Sequence, residues 1–279
     1  MKRLLLICLI SLSVTACKKG KVETTTLTKL KSATTKTTVL SQKIAFTYDE
    51  NGHLADAKKY VNDVLQSYFE YRYDGSVVTS AKSYIKHPSD NEYDLVANIL
   101  FSYTDKNLSE LAVFPLKPGA PSTPTKYRFE YGSGDVPVKF SIVLNNGRVI
   151  NAGYGEILSF PFQPGSEYSD RWTEPYQLGT VVSPAIQVSY EYEFDGKKNP
   201  FYKLPWIDVA VQDGEISFIF NAPAFFSLHN TIKKSILFGG TSIYSFMSTF
   251  TYLSTDYPDK ATIITQAPAS FKSEVSYEY

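Results

Sequence analysis

A chain of 279 residues with 28 Lys and Arg against 28 Asp and Glu has a formal net charge of +0, so it offers no basic field for nucleic acid and no acidic tail. Two cysteines are too few for a disulfide framework, and 21 Tyr and 18 Phe against 2 Met favour pleated, half-buried surfaces over helical packing. The expectation is an all-β body.

The chain opens on Lys2 and Arg3, an apolar run from Leu4 to Val14, and then Thr15-Ala16-Cys17. That run is too short to cross a bilayer as a helix, and its basic flank and small final residues read as an export signal over residues 1–16. A cysteine directly after Val-Thr-Ala resembles a bacterial lipobox, in which the thiol is acylated and the chain cut before it. The competing reading is an ordinary signal peptide with a chance cysteine. With Cys8 lost in the signal and Cys17 carrying lipid, the mature body has no thiol, which removes cysteine nucleophiles and thiolate metal sites. The membrane is then a partner through a lipid anchor, since two or three acyl chains hold stably where one does not.

Residues 17–39 read as the lipidated Cys17 followed by a flexible tether. Eight of the fifteen residues from Thr24 to Thr38 are threonine, and a segment so poor in apolar surface cannot offset its ordering entropy. Its lysines are read as solvated, with contact to anionic headgroups as the alternative. The folded body is expected over residues 40–279 as a single domain.

Phe46-Thr47-Tyr48 then runs into Asp49-Glu50-Asn51-Gly52-His53. Asp49, Glu50 and His53 invite a metal reading, but a calcium loop needs more oxygen donors at alternating positions. Asn51-Gly52 is better explained as a hairpin tip, where φ > 0 is required. The aromatic-x-aromatic triplet recurs at Phe69–Tyr71, Phe101–Tyr103, Phe129–Tyr131, Tyr190–Tyr192, Phe250–Tyr252 and Tyr277–Tyr279, with Phe160–Phe162 and Phe218–Phe220 in the two wide gaps. The mean spacing is close to 29 residues, enough for two strands and two turns. A polar residue between two rings places the rings on one face of a strand. The prediction is a sequential antiparallel meander of about 14–18 strands built from hairpin repeats, forming a curved or barrel-like sheet with one or two short helical segments.

Asp74-Gly75, Asn146-Gly147, Asp195-Gly196 and Asp213-Gly214 are further expected hairpin tips, and residues 115–124 and 163–179 are expected loops. Leu54, Ala57, Val61, Val64, Leu65 and Tyr68 fall at helical spacing, so residues 54–67 are either a helix or a strand pair. Residues 222–230 read as one or two helical turns folded over the sheet to cover Ile219.

"FTYDENGHL", "FEYRYDG", "YEYEFDGKKNPFYKL" and the closing "VSYEY" resemble an uncharacterised family of Gram-negative bacterial lipoproteins. The most specific part of the likeness is Asp195, Asn199, Pro200, Phe201 and Tyr202. It covers roughly residues 44–279 and implies a domain of unknown function with a porin-like fold and Tyr-Asp-x-x-Gly hairpins, located in the cell envelope. It implies no catalytic residue and no cofactor.

Chemistry-bearing patterns are sparse. His53, His87 and His229 form no zinc-ligand spacing, and neither a nucleophile elbow nor a phosphate loop is present. Glu167, Asp170 and Glu174 would suit a glycan-acting hydrolase only at a set separation. The best binding candidate is the stretch Ser166–Tyr176, where Tyr168, Arg171, Trp172 and Tyr176 would contact a glycan or another envelope protein. The alternative for Trp172, as for Trp206, is to plug the core. The leading reading is a non-enzymatic, lipid-anchored binding or structural module of the outer membrane, with the periplasmic face slightly favoured. An outer-membrane β-barrel or channel is the alternative, and the hydrolase ranks last.

Overall fold

The computed structural model describes residues 29–279 except 88, 117–118, 120–121, 133–136, 144–146, 148, 151–166, 179–180, 206, 213–214, 221–226, 239–240 and 267–269. The strands are β1 (Ser32–Lys36), β2 (Ser41–Tyr48), β3 (Leu54–Val61), β4 (Val64–Asp74), β5 (Val77–Lys86), β6 (Tyr93–Thr104), β7 (Asn107–Pro115), β8 (Thr125–Tyr131) and β9 (Pro137–Val143). They continue as β10 (Val149–Ile150), β11 (Glu167–Leu178), β12 (Val181–Lys198), β13 (Ile207–Gln212), β14 (Glu215–Phe220), β15 (His229–Phe238), β16 (Thr241–Tyr252), β17 (Pro258–Thr265) and β18 (Phe271–Glu278).

Sixteen of these strands form one antiparallel sheet in the order β10 to β1, then β18 to β15, then β12 and β11. The two chain ends therefore meet: Ser32 to Lys36 on β1 pair with Glu278 to Glu274 on β18. Among the described residues β10 and β11 end the sheet without pairing to each other. The meander is interrupted once, where β13 and β14 leave it as a separate two-stranded hairpin. No helix occurs among the described residues.

Alternation builds the core. Phe46, Ala57, Phe69, Ser83 and Ala97 stand in register across β2 to β6. A second row runs Tyr71, Ala81, Ile99 and Val113, and a third Phe101, Leu111 and Tyr127. All of these side chains are buried. Small residues opposite rings let the rings fill the concave side without clashing. Each buried Phe contributes about 1.5–3 kcal/mol. The intervening residues Thr47, Glu70, Arg72, Ser102, Arg128 and Glu130 are exposed on the other face.

Several expectations change. Residues 54–67 are the strand pair β3 and β4, not a helix. The helix-like spacing comes from two β-bulges: Thr47 pairs with Asp56 but Tyr48 with Leu54, and Lys59 pairs with Ser67 but Tyr60 with Leu65. One extra residue on a strand shifts the alternation and separates two core residues by three. The segment expected as a tether over residues 17–39 contains β1, and Leu30, Ser32 and Ala33 within it are buried. Threonine is a good strand former when hydrogen-bonded neighbours stand on both sides, as β2 and β18 do here. The loop expected over residues 163–179 contains β11, paired along its length with β12.

Asp195-Gly196 is not a hairpin tip but an irregular stretch within β12. Asn51-Gly52, Asp74-Gly75 and Asn146-Gly147 do have glycines at positive φ (83, 57 and 82°). At the first, Gly52 N–H donates to Asp49 O at 2.9 Å and His53 N–H to Asp49 Oδ1 at 2.7 Å, so Asp49 serves the turn. Two tips, Asn62-Asp63 and Asp105-Lys106, use no glycine at all, with φ of 47, 63, 49 and 73°. Cys17, Phe160–Phe162, Trp206, Asp213-Gly214 and residues 222–226 lie outside the described residues.

Candidate functional site

The aromatic triplets decide what one end of the sheet looks like. Those of β2, β6, β8 and β16 place a tyrosine at or just before the strand end, Tyr48, Tyr103, Tyr131 and Tyr252, and on β4 the alternation runs two residues past its triplet to Tyr73. Immediately before each of these tyrosines the register shifts by one residue against the next strand. The extra residues include Thr79 and Ser109, whose hydroxyls donate back to Arg72 O and Ser102 O at 3.2 and 3.1 Å. A bulge increases local twist. Five bulges at the same level curl this end of the sheet and turn its tyrosines inward.

The phenols are tied down by backbone carbonyls. Tyr48 donates to Leu30 O at 2.8 Å, Tyr131 to Leu108 O at 2.7 Å and Tyr279 to Pro258 O at 3.0 Å. Burial pushes Tyr48 and Tyr73 up to about 12 and moves Tyr103 higher still, so these groups stay protonated donors near neutral pH. His53 stacks on Tyr73, with centroids 4.7 Å apart, which gives that histidine a packing role at the tip.

The stretch Asp195–Tyr202 forms a junction that directs the chain into the concave side. Asp195 Oδ1 accepts from the N–H groups of Lys197 (2.9 Å) and Asn230 (3.1 Å), while Oδ2 accepts from Asn230 Nδ2 and the Tyr252 hydroxyl. Buried Asn199 donates through Nδ2 to Ser227 O at 2.8 Å and accepts from Phe201 N–H at 2.9 Å. Held this way, Phe201 lies 6.4 Å from the rings of both Phe46 and Tyr277, and Leu204 also packs on the core. Residues 199–205 are thus a plug seated against the rings.

Between the plug and the curled end lies a cavity of ≈ 480 Å³. Tyr73, Tyr103 and Tyr131 supply its aromatic lining, from β4, β6 and β8. Lys106 and Asn107 enter from the β6–β7 turn and Lys203 from the plug. Val78, Leu108 and Pro205 complete an apolar floor, and no carboxylate is among the described residues that line the space. A concave, mainly apolar site with a few convergent polar groups is what small ligands occupy.

The residues expected from sequence to contact a ligand lie elsewhere. Tyr168, Arg171, Trp172 and Tyr176 belong to β11, which ends the sheet order; Tyr168 pairs with Tyr192, Arg171 with Ser189 and Trp172 with Val188, and Tyr176 falls at a bulge. Only their backbone is described, and the described lining of the cavity comes from other elements. Sequence reasoning overlooked Lys106 and Lys203. One signal for Lys106 was present: "TDKN" joins two alternating strands without a glycine, so a lysine takes a place in a tight turn where glycine is favoured.

No protein-family model matches the chain, and no curated protein matches it. Among solved structures it is similar to a porin-like protein from Bacteroides uniformis, with a TM-score of 0.50, 9% identity, and coverage of 89% of this chain and 97% of that one. A porin-like protein from Bacteroides vulgatus aligns with a TM-score of 0.43 and 12% identity over 90% of this chain and 98% of that one. The first likeness concerns fold alone, and at that level it agrees with the porin-like architecture implied by the sequence resemblance.

Proposed function

We propose that this protein is a lipid-anchored, non-enzymatic binding or structural module of the cell envelope, acting in the aqueous phase beside the membrane. The observation that carries this reading is the division of the sheet faces. Rings fill the concave side, and the outward face carries Glu70, Arg72, Lys82, Glu110, Arg128 and Glu130 on β4, β5, β7 and β8, with β6 between. A bilayer-spanning barrel needs the reverse, an apolar outer band, and an Arg or Lys at the midplane costs about 2–4 kcal/mol. Glu110 instead holds Lys126 and Arg128 at 2.9 Å each, an arrangement suited to water.

The anchor is Cys17, and the eleven residues between it and Lys29 can reach at most roughly 40 Å. Lys29 meets the sheet at the curled end, donating to Gly52 O, so that end would face the membrane. Tyr168, Arg171, Trp172 and Tyr176 on β11 would offer a contact for a glycan or envelope partner. Membership of the lipoprotein family is part of the same proposal. The barrel or channel reading keeps one supporting observation, the pairing of β1 with β18, which closure of a barrel requires.

The test has two arms. Residues 29–279, expressed without detergent, are expected to give a monodisperse soluble protein with β-rich circular dichroism. In the full chain, Cys17→Ala is expected to abolish incorporation of radiolabelled palmitate. Folding only in detergent would establish the barrel instead, and unchanged labelling would remove the anchor.

A further inference from the structure

We propose that the cavity at the curled end binds a single neutral pyranose sugar, with the Tyr103 hydroxyl as the donor that selects it. The inference rests on the binding half of the reading above and is independent of the anchor and of β11.

The cavity volume, ≈ 480 Å³, lies within the range of small-molecule sites, about 300–1,000 Å³. Two of its three tyrosines are fixed before any ligand arrives. Tyr131 donates to Leu108 O at 2.7 Å, while Tyr73 is bonded to the Leu54 backbone and stacked on His53. Rings already held in place lose little freedom on binding. Their negative faces suit the C–H groups along one side of a sugar ring, and Val78, Leu108 and Pro205 extend the same apolar surface.

Tyr103 carries the argument furthest because it breaks a pattern. The phenols of Tyr48, Tyr73 and Tyr131 each meet the backbone of a leucine near the start of another strand, Leu30, Leu54 and Leu108. Tyr103, on β6 between Tyr73 and Tyr131, lines the same cavity, yet its hydroxyl has no hydrogen-bond partner among the described residues. The side chains of Ser76 and Asn107, which also line it, are likewise unbonded among the described residues. These three groups decide between a plain apolar ring and a hydroxylated one. A hydrocarbon ring would take water from all three and return no hydrogen bond, which weakens its binding. A pyranose offers several hydroxyls, each a donor and an acceptor, around a ring with an apolar C–H side. Tyr103 donates to one of these hydroxyls, Asn107 and Ser76 meet its neighbours, and the C–H side lies on the fixed tyrosines.

Saturation-transfer NMR titration of the full chain with glucose, galactose, mannose and N-acetylglucosamine tests this, with benzyl alcohol as the ring that lacks hydroxyls around it. At least one sugar is expected to bind with a Kd of about 1–10 mM, and benzyl alcohol about ten-fold more weakly or not at all. Tyr103→Phe keeps the ring and is expected to weaken the sugar roughly three- to ten-fold, the loss of one neutral hydrogen bond. Its Tm is expected to hold, because that hydroxyl has no partner in the fold to lose. Tyr84→Phe removes a phenol that donates to Glu70 on the outer face and is expected to leave binding unchanged. The proposal is overturned if none of the four sugars binds at about 50 mM, or if Tyr103→Phe leaves the affinity intact. Benzyl alcohol binding as tightly as the sugars would overturn the sugar assignment while leaving the binding module in place.

Discussion

Asn199 and Ser83 are both buried polar residues, yet they are expected to respond to alanine with opposite signs. The Asn199 amide bonds in both directions, to Ser227 O and from Phe201 N–H, and fixes the entry of the plug. Asn199→Ala strands those backbone groups, and urea unfolding is expected to show a loss of about 1–3 kcal/mol. Ser83 stands between Phe69 and Ala97 in a core row, fully buried, and its hydroxyl finds no partner among the described residues. Ser83→Ala removes an unsatisfied group and is expected to stabilise by about 1 kcal/mol in the same experiment. The Asp195-x-x-x-Asn199-Pro200-Phe201 pattern was visible in sequence. Its role was not, because its partners Asn230 and Tyr252 lie on β15 and β16, far along the chain.

At the scale of elements, the bulge before each tyrosine matters more than the aromatic spacing itself. Spacing says where strands are; a bulge adds one residue without leaving a compositional mark, which is why residues 54–67 read as a possible helix. The β1–β18 seam is similarly hidden. There Ser32 Oγ donates to Glu278 Oε2 at 2.7 Å and Lys43 stands 3.7 Å away. These two groups, the Ser32 hydrogen bond first, hold the Glu278 carboxyl below its ordinary 4.5. A depressed carboxyl stabilises above its unfolded pKa and loses that contribution as pH falls through the folded one. The seam is therefore expected to loosen below about pH 4.5. Hydrogen exchange of the β1 amides is expected to accelerate in acid, and Glu278→Gln to flatten that dependence. An exchange rate equally acid-sensitive in the variant would assign the effect to other groups.

The whole molecule is a meander whose ends meet. Because β1 pairs on both sides, removing it exposes two long edges, on β2 and β18, that template association. A chain starting at residue 40, the boundary expected from composition, is therefore predicted to elute as aggregates on gel filtration, whereas one starting at residue 29 is monomeric. Equal behaviour of the two would mean that β1 is dispensable.

Local alternation by itself determined the all-β class, the face on which the rings lie and the hairpin tips at Asn51-Gly52 and Asp74-Gly75, since each depends on neighbours two to four residues apart. Only the tertiary structure decided the pairing of the chain ends, the excursion of β13 and β14, the seating of Phe201 on Phe46 and the cavity between three tyrosines and two lysines. Those features join residues up to 246 positions apart, as Ser32 and Glu278 are. At such distances no periodic pattern carries information, and the choice among partners falls to packing volume, backbone hydrogen bonding and the curvature the bulges impose.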